Sequence, residues 1–536
     1  MSARGGHRAQ ARLLSGLGRS TRIGLRTSGP ALMSAAALGT ALVLGNAVSA
    51  QGLYPTAAER EHYAQLMGPS AVIIAFNGRG YGLTSLGGIT AYEVGFMGQL
   101  LFPMAGLILA VHLTRGEEEA GRTELLTAAP VGRLAALGAA LLLLTATAAL
   151  MAGGILVGLT VLGLPASGSA WYAASTGACL LLFGALGCLL GQVCALSRTA
   201  LRLGVGVITA AFLARALADG FGSRAAVLGP LGWLPEVRAF EEPRAWPLLA
   251  HLIAVGLLLL ITAAVAARRD LGAGVLAPRP GPRAAHPRLA TCAGYAWRML
   301  RPGMLGAMAL TVTWSLLLGL LGREMEEIAE ATPSLLLALG ASRGTDVLVM
   351  LATIVAGAAS AAVGVQAGTR LAAEEATGRL AAVLCTRVPR RRLWLTWWAL
   401  ALLGSLVVLA ASCLSLGLSA WLMTGQVEDL STAWGVVAAY AAPVAVVVAL
   451  CSALGALGPR WPALGWAAIG WILTVGFLGQ ALQLPQWAQD LSPLHLVGTQ
   501  PLQDLSGPAV TGLSTAAVVL LAASTAMFRH RDLAAG

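Results

Sequence analysis

Two clusters of charge interrupt an otherwise apolar chain, and they share one order: Glu117-Glu118-x-x-Gly121-Arg122 and Glu374-Glu375-x-x-Gly378-Arg379. In the first, Glu119 and Glu124 add further acid, and Leu125 and Leu126 then supply an apolar patch before Pro130 interrupts any helix. The pattern predicts a short amphipathic helix lying along a membrane surface. A solvated loop would also carry charge. The recurrence of the group argues for something more specific, and acid is a poor choice for holding a negatively charged cytoplasmic leaflet. Contact with a protein partner is the chemistry these residues fit.

Other chemistries lack their residues. The seven histidines show no ligand spacing and the seven cysteines form no CxxC pair, so no metal site is expected. The cysteines read as small buried hydrophobes. A phosphate-binding loop needs the lysine of GxxxxGK[ST], and all 35 basic residues here are arginine. No cofactor is therefore expected in this chain, and any ATP and Mg would be bound by a partner. Glu59, Glu61, His62 and Glu93 lie in one loop without forming a compact catalytic group, and no catalytic residue is assigned.

The elements that must position the charged clusters are membrane spans. Apolar residues make up 57% of the 536 and charged residues 11%, against roughly 45–50% and 25% in soluble domains. Apolar stretches of about 20 residues, the length of a helical bilayer span, fall near 31–50, 93–113, 134–163, 171–195, 203–219 and 247–267. A second set falls near 304–322, 346–366, 396–424, 432–457, 463–483 and 509–528. The class expected is an all-α polytopic membrane protein with about 12 transmembrane helices. With the N-terminus cytoplasmic, 27 arginines fall on the cytoplasmic side and 8 on the outer side, which places both termini and both charged clusters inside. The net charge of +11 thus reflects topology rather than nucleic-acid binding. A lysine-free chain rich in Ala, Gly and Leu suggests a GC-rich bacterial genome, hence a multi-pass protein of the bacterial plasma membrane. Val48-Ser49-Ala50 after a basic and apolar stretch has the look of a signal peptide; the run is long for one, and an uncleaved first span is expected. Arg215, inside the fifth span, is expected to snorkel to the outer surface.

Landmarks recur in order. Pro69-Ser70 and Pro333-Ser334 are offset by 264, the two Glu-Glu-x-x-Gly-Arg groups by 257, and Pro230-Leu231 and Pro493-Leu494 by 263. The chain therefore divides into a basic cytoplasmic N-terminus (1–30), a first six-helix module (31–267), an Arg- and Pro-rich cytoplasmic linker (268–303), a second six-helix module (304–528) and a cytoplasmic C-terminus (529–536). Six spans per module make the two copies parallel repeats.

The stretch Glu118-Glu-x-Gly-Arg-x-Glu-Leu-Leu, followed by Pro130-Val131, resembles the segment after the second span of type-2 ABC exporter permeases. The fused twelve-span layout is similar to actinobacterial antibiotic and multidrug efflux permeases of the tetronasin-resistance kind. That resemblance implies that the segment is a coupling helix docked on a separate ATP-binding subunit, one of two per chain. Glu117, Glu118, Gly121, Arg122 and Glu124 would then form one contact, and Glu374, Glu375, Gly378 and Arg379 the other. The second copy departs from the first: Ala381 stands in place of Glu124, and Arg390-Arg391-Arg392 follows, so the resemblance does not imply equal coupling by the two halves. The family also implies short re-entrant helices at 220–246 and 484–508, where Trp233, Trp246 and Trp487 suit interfacial anchoring. The resemblance further implies export of a hydrophobic or amphipathic compound.

Two other classes compete. A proton-coupled major-facilitator carrier has the same span count, but its Gly-x-x-x-Asp-Arg-x-Gly-Arg-Arg loop signature is missing here. A membrane-embedded lipid or glycosyl transferase would need clustered acids or histidines at one membrane face.

Overall fold

The computed structural model describes residues 15–127, 131–132, 134–270, 272–276, 283–284, 286–331, 341–479 and 484–532. Among them the secondary structure is helical apart from one isolated bridge between Cys194 and Leu276. Among the described residues, eleven helices are long and apolar enough to cross a bilayer, and a shorter apolar helix accompanies them. A helix satisfies all its own backbone groups, which hydrocarbon cannot do for it. The chain is an all-α polytopic membrane protein, folded as two compact units, Met1–Gly281 and Pro282–Gly536.

The first unit contains α1 (Leu17–Leu53), α2 (Gly95–Val111), α3 (Ala135–Val161), α4 (Ala166–Val193), α5 (Ser197–Gly220) and α6 (Trp246–Arg268). The second contains α7 (Cys292–Leu320), α8 (Gly344–Ala376), α9 (Arg390–Thr424), α10 (Glu428–Leu457), the short α11 (Trp461–Phe477) and α12 (Gly507–His530). Within each unit the same neighbours pack: first helix with third, second with fourth, third with fourth, fourth with sixth, and second with fifth. Small residues permit the close α2–α4 approach. A Cβ at Gly106 would stand 2.1 Å from the Leu180 carbonyl oxygen, and one at Gly187 would stand 2.7 Å from Ala110 Cβ. In lipid, where apolar contact alone gives no net drive, such backbone proximity is what helix association rests on.

Two boundaries depart from expectation in an instructive way. The first helix begins at Leu17 rather than near residue 31, because Arg19, Arg22 and Arg26 lower hydropathy without breaking a helix. Its 37 residues reach about 55 Å at ~1.5 Å per residue, well beyond a hydrocarbon core of about 30 Å. The span expected near 463–483 is described as the 17-residue α11, and residues 480–483 lie outside the described set. The loops between the fifth and sixth helices hold short helices, Arg224–Leu228 and Trp233–Glu236 in one unit and Gln486–Gln489 and Pro493–Leu496 in the other. Of the repeated landmarks, Ser70 caps the helix Ala71–Asn77 by accepting from Ile73 N–H (3.2 Å). Its partner Pro333-Ser334 lies outside the described residues.

Candidate functional site

The first charged cluster is built onto the end of α2, which does not stop at Val111. The helix continues through a widened π turn at His112–Gly116 and then through Glu117–Glu119. The turn carries Arg115, which is fully buried. It donates to the Gly191 carbonyl (2.9 Å), to Glu118 (2.8 Å) and to the Ala273 carbonyl (3.0 Å). Glu118 also accepts from both ends of the Arg269 fork, one bond measuring 3.0 Å, and Arg269 reaches the Gln192 side chain at 2.9 Å. One carboxylate thereby joins the ends of α2, α4 and α6. Glu119 points elsewhere, accepting from the Ser197 N–H (2.7 Å) and hydroxyl (2.5 Å) at the start of α5, where the helix dipole favours negative charge.

Glu117 accepts two bonds from Arg122, each 2.6 Å long. This fork holds Arg122 charged and raises it above the ordinary guanidinium range. Between the two residues the chain reverses at Gly121, with φ of +72°. Nothing lies within 4 Å of the place a Cβ would take, so the left-handed backbone, not lack of room, calls for glycine. The short helix Arg122–Thr127 follows, with Thr123 buried and Glu124 and Leu125 exposed. The Leu126 side chain and Pro130, expected to end the amphipathic segment, lie outside the described residues.

The second cluster repeats this plan at the end of α8. Arg379 donates to Glu374 at 2.8 and 2.9 Å, across Gly378 with the same φ of +72°. Glu375 pairs with Arg531, which follows α12 and donates to the Gly455 carbonyl (2.8 Å) near the end of α10. The helix Arg379–Leu384 then begins, with Leu380 fully buried. Surroundings differ. Ala372 stands where the first unit has Arg115, while Glu374 gains Tyr295 (3.3 Å) and Arg370 (3.7 Å).

All nine residues expected from the sequence thus fall in the two loops, and six of them carry ion pairs that the sequence did not reveal. Glu117, Glu118, Arg122, Glu374, Glu375 and Arg379 are engaged in ion pairs within their own unit. The outward-facing side chains of the two short helices include Glu124 and Arg379 from that set and, beside them, Leu125 and Ala382. The residues that sequence reasoning missed are the clasping arginines, Arg269 and Arg531. A signal existed: each directly follows the last helix of its unit, 262 positions apart.

A second polar group sits at the opposite end of the first unit. Arg215 does not snorkel. It is buried, donates to the Phe76 carbonyl (2.8 Å) and the Ile74 carbonyl (3.4 Å), and pairs with Asp219 (3.5 Å), which also holds Arg79 (3.1 Å). The helix Ala71–Asn77 ends there, and a cation at its carbonyl end is favourable; hydropathy alone does not show that fold-back. Beside it, Tyr81 donates to Glu236 (2.6 Å), and burial together with that bond pushes the phenol up. Glu59 is occupied in a capping box with Thr56, and Glu93 accepts from Tyr63. Trp233 is a packing residue as much as an anchor: it donates to the Val227 carbonyl (2.8 Å) and meets His251 edge to face. Trp246 and Trp487 are exposed, as anchors would be.

Comparison with known proteins points in one direction. Residues 289–529 match the family model described as the C-terminal domain of the multidrug efflux system permease Rv1217c. Over 496 residues, the chain is 29% identical to the multidrug efflux system permease protein Rv1217c of Mycobacterium tuberculosis (strain ATCC 25618 / H37Rv), covering 90% of this chain and 89% of the relative. The likeness therefore extends through both units and supports a transmembrane efflux permease.

Proposed function

We propose that this chain is the membrane-spanning subunit of an ATP-driven exporter of the type-2 ABC kind. It would move a hydrophobic or amphipathic, drug-like compound out of the bacterial cell. Both termini are cytoplasmic in this reading, and two separate ATP-binding subunits, holding ATP and Mg, dock on the two matched loops. The observation that carries it is the shared clasp: Glu118 with Arg269 in one unit and Glu375 with Arg531 in the other. Each clasp braces a short helix against the ends of the fourth and sixth helices of its unit. A partner can shift a transporter between states only through contacts that differ between those states, and a braced platform transmits such a difference better than a loose loop. The chain's own residues supply the docking surface; the nucleotide chemistry is the partner's.

The proton-coupled alternative would need a buried carboxylate free to carry protons, but Asp219 is committed to Arg79 and Arg215, and Asp346 and Asp429 to Arg343. In the transferase reading Glu59 and Glu93 would be catalytic, whereas here they cap a helix and receive a tyrosine.

The test uses exposed residues, because substituting the clasp would damage the fold as well as the contact. Wild type, Leu125→Glu and Ala382→Glu are co-expressed with candidate ABC ATPases, and co-purification and ATP turnover are measured. Stable complexes weakened by Leu125→Glu support the docking reading. If no ATPase binds and vesicle transport follows a proton gradient instead, the major-facilitator reading replaces it.

A further inference from the structure

The arginine triplet that opens α9 has no role in the matched loops. Arg390, Arg391 and Arg392 form the first turn of that helix, which contains no acid and whose cap, Pro389, supplies no side-chain acceptor. Positive charge there adds to the positive end of the helix dipole, an unfavourable arrangement unless an anion is near. Arg390 donates to the Arg531 carbonyl (2.7 Å). Among the described residues, Arg391, Arg392 and the exposed Arg529 at the end of α12 have no acidic partner; the nearby Glu375 is taken by Arg531.

Arg391 and Arg529 stand at one end of an open apolar trough between α9 and α12. Its first lobe, 430 Å³, is lined by both arginines and by Val518, Leu521 and Ala522. A second lobe of 330 Å³ shares Val518 and Leu521, reaches α10, and continues past Ala445 to Ser514. Trp394, stacked on Phe528 at 4.1 Å and bonded to Ser524 (3.2 Å), fastens α9 to α12 at the arginine end. Small side chains beyond that point leave the trough open. From Ser514 to Arg529 the helix rises about 22 Å at ~1.5 Å per residue. That is close to the depth of one leaflet with its headgroup region, about half of 40–45 Å.

We infer that this trough is a site for an anionic phospholipid, its phosphate between Arg391 and Arg529 and one acyl chain along the two lobes. The arginine end is the one the charge bias assigns to the cytoplasmic leaflet, which carries the anionic lipids. Charge complementarity and length select the occupant together. A zwitterionic lipid brings the same phosphate with a cation attached to it, which two arginines repel, and a soluble anion would leave the apolar lobes unfilled. The inference depends on the membrane fold and not on ATP coupling.

The test places the full-length chain in nanodiscs of mixed phosphatidylglycerol and phosphatidylcholine and measures retained lipid by native mass spectrometry. Wild type should retain phosphatidylglycerol preferentially. Arg391→Gln with Arg529→Gln should cut that preference about tenfold, whereas Arg387→Gln, an exposed arginine of the preceding loop, should leave it unchanged. Ala522→Phe, which fills the first lobe and keeps both arginines, should lower retention of both lipids. An unchanged lipid ratio in the double variant overturns the proposal. So does unchanged retention in Ala522→Phe, which reads the trough even if the double variant fails to fold. Displacement of a bound hydrophobic compound rather than lipid by Ala522→Phe would assign the trough to cargo and overturn the proposal as well.

Discussion

The two charged loops share a skeleton and differ in what surrounds it. Each has a carboxylate forked to an arginine across a left-handed glycine, and a second carboxylate clasped to the arginine after the sixth helix. Only the first adds a buried arginine, Arg115, and a carboxylate, Glu119, set on the start of α5. Only the second is followed by three arginines. The shared features are those that hold each loop in shape. Beyond Arg115 and Glu119, the copies also differ on the surface, Leu125 against Ala382 and Glu124 against Ala381, where a partner would touch. Features common to both copies therefore report on folding, and the exposed differences are those that would report on use.

The largest effect expected from that division is at Glu118. Glu118→Ala leaves both Arg115 and Arg269 without their carboxylate, with relative side-chain exposures of only 1% and 7%, and breaking such a buried pair costs about 3–5 kcal/mol. Glu375→Ala orphans one arginine that is more exposed and still bonded to the Gly455 carbonyl, so thermal unfolding of the purified chain should show a smaller loss. Equal losses would break the comparison. Next come Gly121→Ala and Gly378→Ala, each expected to cost about 1–2 kcal/mol because the left-handed conformation disfavours a Cβ. The two values should agree, since both glycines have φ of +72° and open surroundings; a marked difference would mean the turns are not equivalent. The smallest change in stability belongs to Leu125→Glu and Ala382→Glu, within about 0.5 kcal/mol by the same melting assay. There the comparison sharpens rather than breaks: partner ATP turnover should fall further for Leu125→Glu, the copy with the larger apolar contact.

Much of this was legible in the sequence, and the remainder has a common physical cause. The apolar stretches, the repeat and the paired glycine turns are local patterns, and composition and spacing expose them. Clasps are not local: Glu118 meets Arg269 across 151 positions and Glu375 meets Arg531 across 156. A charge cluster read without its distant partner looks available to another protein. Arg215 failed for the same reason, since its acceptors are carbonyls of Ile74 and Phe76, about 140 residues earlier, and backbone carbonyls leave no mark in a sequence. The early start of α1 was hidden differently, by arginines that lower hydropathy while remaining good helix formers.

The clasp has a consequence in degrees of freedom. A loop fixed at one point can swivel and absorb a push as its own motion. The loop after α2 is fixed at three: Glu118 on Arg269, Arg115 on the Gly191 carbonyl, and Glu119 on Ser197. Three supports define a plane, so a force on the short helix Arg122–Thr127 has no private rotation to spend itself in and must tilt α4, α5 and α6 along with it. The second loop, without counterparts to Arg115 and Glu119, is tied through Glu374 to Tyr295 of α7 instead, so a push there would bear on a different helix.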